Sequence, residues 1–197
     1  MKCPDFFKTI EKIELVDNLA DFLGTFEDGV VEFNYTDIVK SAGHSCPTVA
    51  GAYLMTLEGL KALYPNEIAV RGEIFVSFSE DASEGVAGVI ANVITQITGA
   101  TVTSGFKGIG GNFVRHDLMS FNSDISSSVQ FQRLDTGVKV DVVYNPSEIQ
   151  GDPQQQILMQ KIMQNQATLE EKQTFGKLWQ QRVENIFKNI DKVITIK

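Results

Sequence analysis

The longest run of apolar residues at helical spacing lies between Pro47 and Tyr64. Proline suits the first turn of a helix because its missing N–H would have no partner there. The apolar positions that follow recur every three or four residues, at Val49, Ala50, Tyr53, Leu54, Leu57, Leu60 and Leu63. A period of 3.6 residues places such positions on one face of a helix. The pattern predicts a buried helix that begins at Pro47 and ends near Tyr64.

Five further segments favour helix, and several are bounded by residues typical of helix ends. Gly24 and Gly99 follow two of them, and Thr168 with Glu171 forms a capping box before the last. The segment 84–97 is apolar nearly all round, which predicts burial on every side. The predicted helices run from Asp5 to about Leu23, from Thr36 or Asp37 to about Gly43, and over residues 84–97, 154–166 and 168–189.

Alternation of apolar and polar residues predicts strands between these helices. Residues 30–35 form one such strand, and residues 71–79 form another. Residues 127–133 and 138–144 flank the turn sequence 134–137 and form the clearest hairpin of the chain.

Together these elements predict an α+β fold. We expect a single core domain of antiparallel or mixed sheet packed against buried helices, with a C-terminal amphipathic helix. One domain of this size accounts for residues 1–197. Its core lies at about 28–145, and a C-terminal helical extension lies at about 152–190.

The charge and cysteine content indicate which partners and which cellular compartment to expect. A net charge of −8 and the lack of a basic cluster along the sequence argue against a nucleic-acid partner and an anionic membrane surface. The two cysteines, Cys3 and Cys46, do not make a disulfide framework. The first residues lack the features of a signal peptide, and no apolar run reaches the length of a membrane span. We therefore expect a cytoplasmic protein.

The segment Gly43-His44-Ser45-Cys46-Pro47 concentrates the chemistry of the chain, because it holds one of only two histidines and one of only two cysteines. Imidazole and thiolate are both ligands of transition metals. A helix that starts at Pro47 favours negative charge at its N-terminus, which favours the thiolate of Cys46. The alternative stays open, since an isolated cysteine is often a small hydrophobic residue and an isolated histidine is often structural.

This segment, followed by Gly51, resembles the Gly-His-x-Cys-Pro-Gly-x-x-x-Gly signature of FmdE-like proteins, a family named after a component of formylmethanofuran dehydrogenase. Residues 97–99, 136–140 and 168–183 resemble later family features, so the similarity extends from about Asp37 to Phe187. The resemblance implies an α+β core that dimerises and holds a metal, often zinc, near the signature histidine and cysteine. Some members carry a C-terminal zinc finger, and we expect none here because the sequence has no further cysteine.

The chain also departs from the family pattern. Thr48 stands where the signature has glycine. Val89 and Asn92 stand where the family has Cys-x-x-Asp, and Ala100 stands where the family has a cysteine. Two thiols and one carboxylate of the family are therefore missing, and the site is either rebuilt with other ligands or degraded.

A zinc site needs three or four protein ligands, so His44 and Cys46 require a partner. We favour His116, the only other good nitrogen ligand, as the third member of a site for zinc or another divalent transition metal. Such a metal would acidify water or polarise a carbonyl group. Further candidates are Glu80, Glu84, Asn92 and Asp117, and Lys107 and Arg115 are candidates for binding an anionic group of a substrate.

Two other functions stay open at this point. Cys46 is a candidate catalytic nucleophile that needs no metal, with His44 or His116 as its base. Alternatively, the chain is a binding or accessory module without turnover, which forms a homodimer and takes a small-molecule ligand. We rank this binding function at least level with catalysis, because the sequence does not supply a complete catalytic set.

Overall fold

The computed structural model describes residues 2–197 and contains seven helices in that range. They are α1 (Asn18–Phe22), α2 (Tyr35–Ala42), α3 (Pro47–Leu63), α4 (Ala87–Thr98), α5 (Gln154–Met163), α6 (Leu169–Lys188) and α7 (Ile190–Val193). Two short 3₁₀ helices cover Asp5–Thr9 and Glu27–Gly29. None of the helices between residues 2 and 197 has the length and apolar character needed to cross a bilayer.

The strands form two mixed sheets. They are β1 (Ile13–Val16), β2 (Val30–Phe33), β3 (Ala69–Val70), β4 (Ile74–Phe78), β5 (Met119–Ser120), β6 (Val129–Arg133), β7 (Lys139–Tyr144) and β8 (Ile194–Ile196). The smaller sheet has the order β2-β1-β3, and the larger has the order β5-β4-β6-β7-β8. Among these strands, the β1–β3 and β4–β5 pairs are parallel and the other pairs are antiparallel. The predicted α+β fold is confirmed, and the hairpin of β6 and β7 forms where the sequence predicted it.

The predicted helix from Asp5 to Leu23 is wrong. This segment contains a 3₁₀ helix, the strand β1 and the short helix α1. Ile13 and Leu15 are buried with exposed Glu14 between them, which is the period of a strand. Backbone pairing of β1 with β2 on one side and β3 on the other stabilises the strand over the predicted helix.

The core is built around α3, as the apolar run after Pro47 predicts. This helix is buried along most of its length and contacts α4, α6 and the larger sheet. Two glycines of α3 allow aromatic rings of the larger sheet to approach the helix closely. A Cβ atom at Gly51 would lie 2.2 Å from the Tyr144 ring, and one at Gly59 would lie 2.8 Å from the Phe131 ring. Val183 and Ile186 of α6 belong to the same core cluster.

Candidate functional site

The loop between α2 and α3 carries the signature residues to the start of the buried helix, as predicted. Gly43 ends α2 with φ of 77°, a conformation that glycine adopts without strain. Pro47 occupies the first turn of α3, and Cys46 is its N-cap residue. The residues between these two helix ends are therefore held at both sides by regular structure.

Contacts to Ser45 anchor the middle of this loop. Its buried hydroxyl lies 2.9 Å from the Tyr35 hydroxyl. Trp179 and Gln180 of α6 each donate a side-chain N–H to the Ser45 carbonyl, both at 3.1 Å. The sequence reasoning did not identify these anchoring residues, because their only signal is one small polar residue between two residues with obvious chemistry. These hydrogen bonds therefore tie α6 to the loop.

Cys46 is half-buried at the N-terminus of α3. Its Sγ accepts a hydrogen bond from the backbone N–H of Val49 at 3.4 Å. Burial raises the pKa of Tyr35 and of Tyr144, and the nearby Cys46 contributes to both shifts. The thiol therefore lies close to these two phenols. The hydroxyl of Tyr144 also donates to the Pro47 carbonyl at 2.7 Å, which connects β7 to the first turn of α3.

His44 is exposed, and its ring has a defined orientation. The Nδ1 atom lies 3.0 Å from the Ala42 carbonyl oxygen. Because a carbonyl only accepts hydrogen bonds, this contact places the proton on Nδ1 and leaves the lone pair of Nε2 available to a ligand.

A cleft of about 440 Å³ opens beside this ring, and we call it the His44 cleft. It lies between the end of α2 and the exposed face of α4, and it is lined by Ser41, Ala42, His44, Val89, Asn92, Val93, Thr95 and Gln96. The structure therefore brings together two of the predicted candidates, His44 and Asn92. The cleft also contains Val89, so two of the three departures inferred from the family resemblance line the same space as His44.

The other predicted candidates lie outside the lining of the His44 cleft. His116 precedes β5, and its Nδ1 lies 2.5 Å from the Asp117 carboxylate. Lys107 is exposed in a loop at 105–111 that contains four glycines. Glu84 is exposed before α4 and accepts a hydrogen bond from the Asp81 N–H, and Glu80 is exposed at the end of β4.

Arg115, predicted as an anion-binding residue, has a different environment. Its side chain is buried, and Nη2 donates to Asp17 at 2.7 Å. Its Nη1 donates to the Arg71 carbonyl at 2.6 Å. Arg71 itself donates to Asp17 at 2.9 Å and to the last carbonyls of α4. We assign Arg115 to this structural cluster, which joins α1, α4 and the segment before β5.

The residues present do not fit a zinc site within one chain. Between residues 2 and 197, no group of three or more His, Cys, Asp or Glu side chains is arranged so that it could hold a metal ion. The family resemblance leads us to expect a carboxylate and a thiol at the positions of Asn92 and Val89, and neither of these side chains supplies such a ligand beside His44. Zinc in proteins takes at least three protein ligands. No chemical step is therefore assigned to a metal here.

A direct consequence concerns zinc affinity. We expect that zinc added to the purified chain is removed by dialysis against a mild chelator, because fewer than three ligands surround His44. Inductively coupled plasma mass spectrometry of wild type and His44→Ala measures this, with His116→Ala as the control. Retention of zinc that His44→Ala abolishes would contradict the expectation. A ratio of one zinc ion to two chains would then mean that a second copy supplies the missing ligands.

A family model matches most of the chain. The family model that matches the chain is FmdE, described as "FmdE, Molybdenum formylmethanofuran dehydrogenase operon". The match covers residues 42–195, which include the signature loop, both sides of the His44 cleft from Ala42 onward, and the closing helix α6. A search of the curated proteins finds no match.

Proposed function

Because the chain belongs to the FmdE family, we propose that it is an accessory binding protein associated with a redox enzyme, and that the His44 cleft holds its ligand. One observation carries this proposal. The oriented imidazole of His44 shares a cleft with the side-chain amide of Asn92 and the partly buried amide of Gln96. These groups recognise a ligand by hydrogen bonding.

The lining of the cleft narrows the class of ligand. None of the described residues that line it is Lys, Arg, Asp or Glu, and the lining combines amides and hydroxyls with three aliphatic side chains. Amides pair well with an edge that offers both a donor and an acceptor. A volume of about 440 Å³ falls within the range of small-molecule sites. We therefore propose a small, uncharged heterocycle with an amide-like edge, of which a pterin is one example.

Pterin is a suitable probe for this proposal. We expect ¹H–¹⁵N NMR spectra to show that pterin shifts the side-chain amide signals of Asn92 and Gln96. Asn92→Leu keeps the size of the side chain but removes its hydrogen bonds, and we expect it to weaken binding about tenfold. Gln156→Leu is the matched control, since Gln156 is an exposed amide on α5. Equal binding by Asn92→Leu and wild type would refute the assignment of this cleft.

Cysteine chemistry without a metal is the second candidate function. It is supported by the hydrogen bond from the Val49 N–H to Cys46 Sγ, since such a contact at a helix N-terminus stabilises a thiolate. A base is harder to assign. Nδ1 of His44 contacts Ala42, and Nδ1 of His116 contacts Asp117. Any base role would fall to a free Nε2 atom, so we rank this candidate second.

A further inference from the structure

Three lysines that are separated along the sequence meet at one surface pocket. Lys2, Lys8 and Lys40 line a space of about 520 Å³ together with Cys3 and the hydroxyl-bearing Thr36. We call it the lysine pocket. It shares no lining residue with the His44 cleft. The sequence contains no basic cluster, so this concentration of positive charge arises only from the fold.

Aromatic packing fixes the two walls of the lysine pocket against each other. Phe7 of the first 3₁₀ helix is buried, and its ring meets the edge of the Tyr35 ring with 4.9 Å between centroids. Tyr35 is the first residue of α2, which carries Thr36 and Lys40. Lys8 and Lys40 are therefore held on facing, packed elements, and the pocket is a feature of ordered structure.

The local charges leave capacity to bind an anion. Lys8 pairs with Asp5 at 3.2 Å and Lys40 pairs with Asp37 at 3.1 Å. Both are exposed pairs at i,i+3 spacing, and such pairs contribute little to stability. Each ammonium group has three N–H donors, so one carboxylate contact does not use up the donors. Among the described residues the lining contains three lysines and one carboxylate, and with Asp37 beside Lys40 the local excess is one positive charge, in a chain whose net charge is −8.

We propose that the lysine pocket binds a phosphate group or an equally compact polyanion. The ammonium groups act as point charges toward the phosphate oxygens, and the Thr36 hydroxyl adds a neutral donor. This site is independent of the proposed ligand of the His44 cleft, because the two spaces have no residue in common. Failure of either proposal leaves the other unaffected.

Cys3 provides a reporter within the lysine pocket, and Cys46 provides an internal control outside it. Both are free thiols, and mass spectrometry of peptides distinguishes them. The neutral reagent iodoacetamide is used so that its own charge does not compete. At constant ionic strength, we expect inorganic pyrophosphate to slow the labelling of Cys3 in a saturable manner and to leave the labelling of Cys46 unchanged.

Lysine variants test whether the side chains named here are responsible. We expect Lys8→Gln and Lys40→Gln each to raise the half-saturating concentration of pyrophosphate about tenfold. Lys12→Gln is the control, because Lys12 is an exposed lysine that pairs with Glu32 away from the pocket. Protection of Cys3 that persists in a variant lacking both Lys8 and Lys40 would overturn the proposal.

The same assay distinguishes two sources of the phosphate group. Vesicles of phosphatidylcholine containing phosphatidic acid are compared with vesicles of phosphatidylcholine alone. Protection by soluble pyrophosphate assigns the pocket to a phosphorylated small molecule. Protection by the acidic vesicles only assigns it to a lipid headgroup. Protection of Cys3 by neither probe would mean that the lysine pocket does not bind phosphate.

Discussion

Replacement of Asp17 by alanine is expected to lower the free energy of unfolding by about 3–5 kcal/mol, because it leaves the buried Arg115 and the partly buried Arg71 without their counter-charge. Asp17 and Arg115 are each only 6% exposed. The Asp17 carboxylate accepts from Arg71, from Arg115 and from the backbone N–H groups of Leu19 and Ala20 at the start of α1. The variant therefore loses two ion pairs and a helix cap together.

Denaturant unfolding of matched variants measures this effect. Asp21→Ala removes an exposed aspartate from the same helix, and we expect it to cost less than about 1 kcal/mol. Asp17→Asn retains a good N-cap residue, so the stability that this variant loses measures the contribution of the ion pairs alone. If Asp17→Ala were no more destabilised than Asp21→Ala, the cluster would not hold these elements together.

The dependence of stability on pH gives an independent check. Burial alone would raise the pKa of Asp17, but the Arg71 hydrogen bond, the Arg115 charge and the Ala20 N–H outweigh burial and lower it below 3.8. A depressed pKa in the folded state contributes stability that is present above the unfolded value and is lost as the pH falls through the folded value. The stability difference between wild type and Asp17→Asn should therefore shrink as the pH falls below 3.8.

The elements that the sequence predicted well are those with dense apolar periodicity. The helix α3 and the β6–β7 hairpin have enough apolar positions to distinguish a period of 3.6 from a period of 2. The segment 5–23 does not, because Ile13 and Leu15 fit a strand while its other apolar residues suggest a helix. The strand β8 has three residues, and its backbone pairing with β7 leaves no comparable pattern in the sequence.

For the candidate site, the sequence predicted the local backbone geometry but not the contacts between distant residues. The Gly43–Pro47 motif predicted its own local geometry, because a glycine helix stop and a proline helix start act on neighbouring residues. Convergence of distant side chains has no local signal. The neighbours of His44 in the cleft lie on α4, and the partners of Arg115 include Asp17, almost a hundred residues earlier. For the same reason, the sequence did not indicate that the three lysines of the lysine pocket lie together, and only the fold brings them to one surface.

Gly51 of the signature is expected to be intolerant of any side chain. A Cβ atom there would lie 2.2–2.6 Å from three atoms of the Tyr144 ring. Overpacking of this kind costs about 2–3 kcal/mol. Displacement of the ring would also break the hydrogen bond from Tyr144 to the Pro47 carbonyl, which positions the start of α3 beside Cys46. We expect Gly51→Ala to lower the midpoint of denaturant unfolding and to speed the labelling of Cys46.

A control glycine and a double-mutant cycle separate this clash from the ordinary effect of glycine in a helix. A Cβ atom at Gly176 in α6 would meet no described atom within 4 Å beyond its chain neighbours and its own helix backbone, so Gly176→Ala should stabilise the protein by up to about 1 kcal/mol through helix propensity. Tyr144→Ala removes the ring that Gly51→Ala meets. In that background Gly51→Ala should therefore cost little or even stabilise the protein, which gives a large coupling between the two positions. Additive losses would show that the two residues do not meet and that Gly51 is required for another reason.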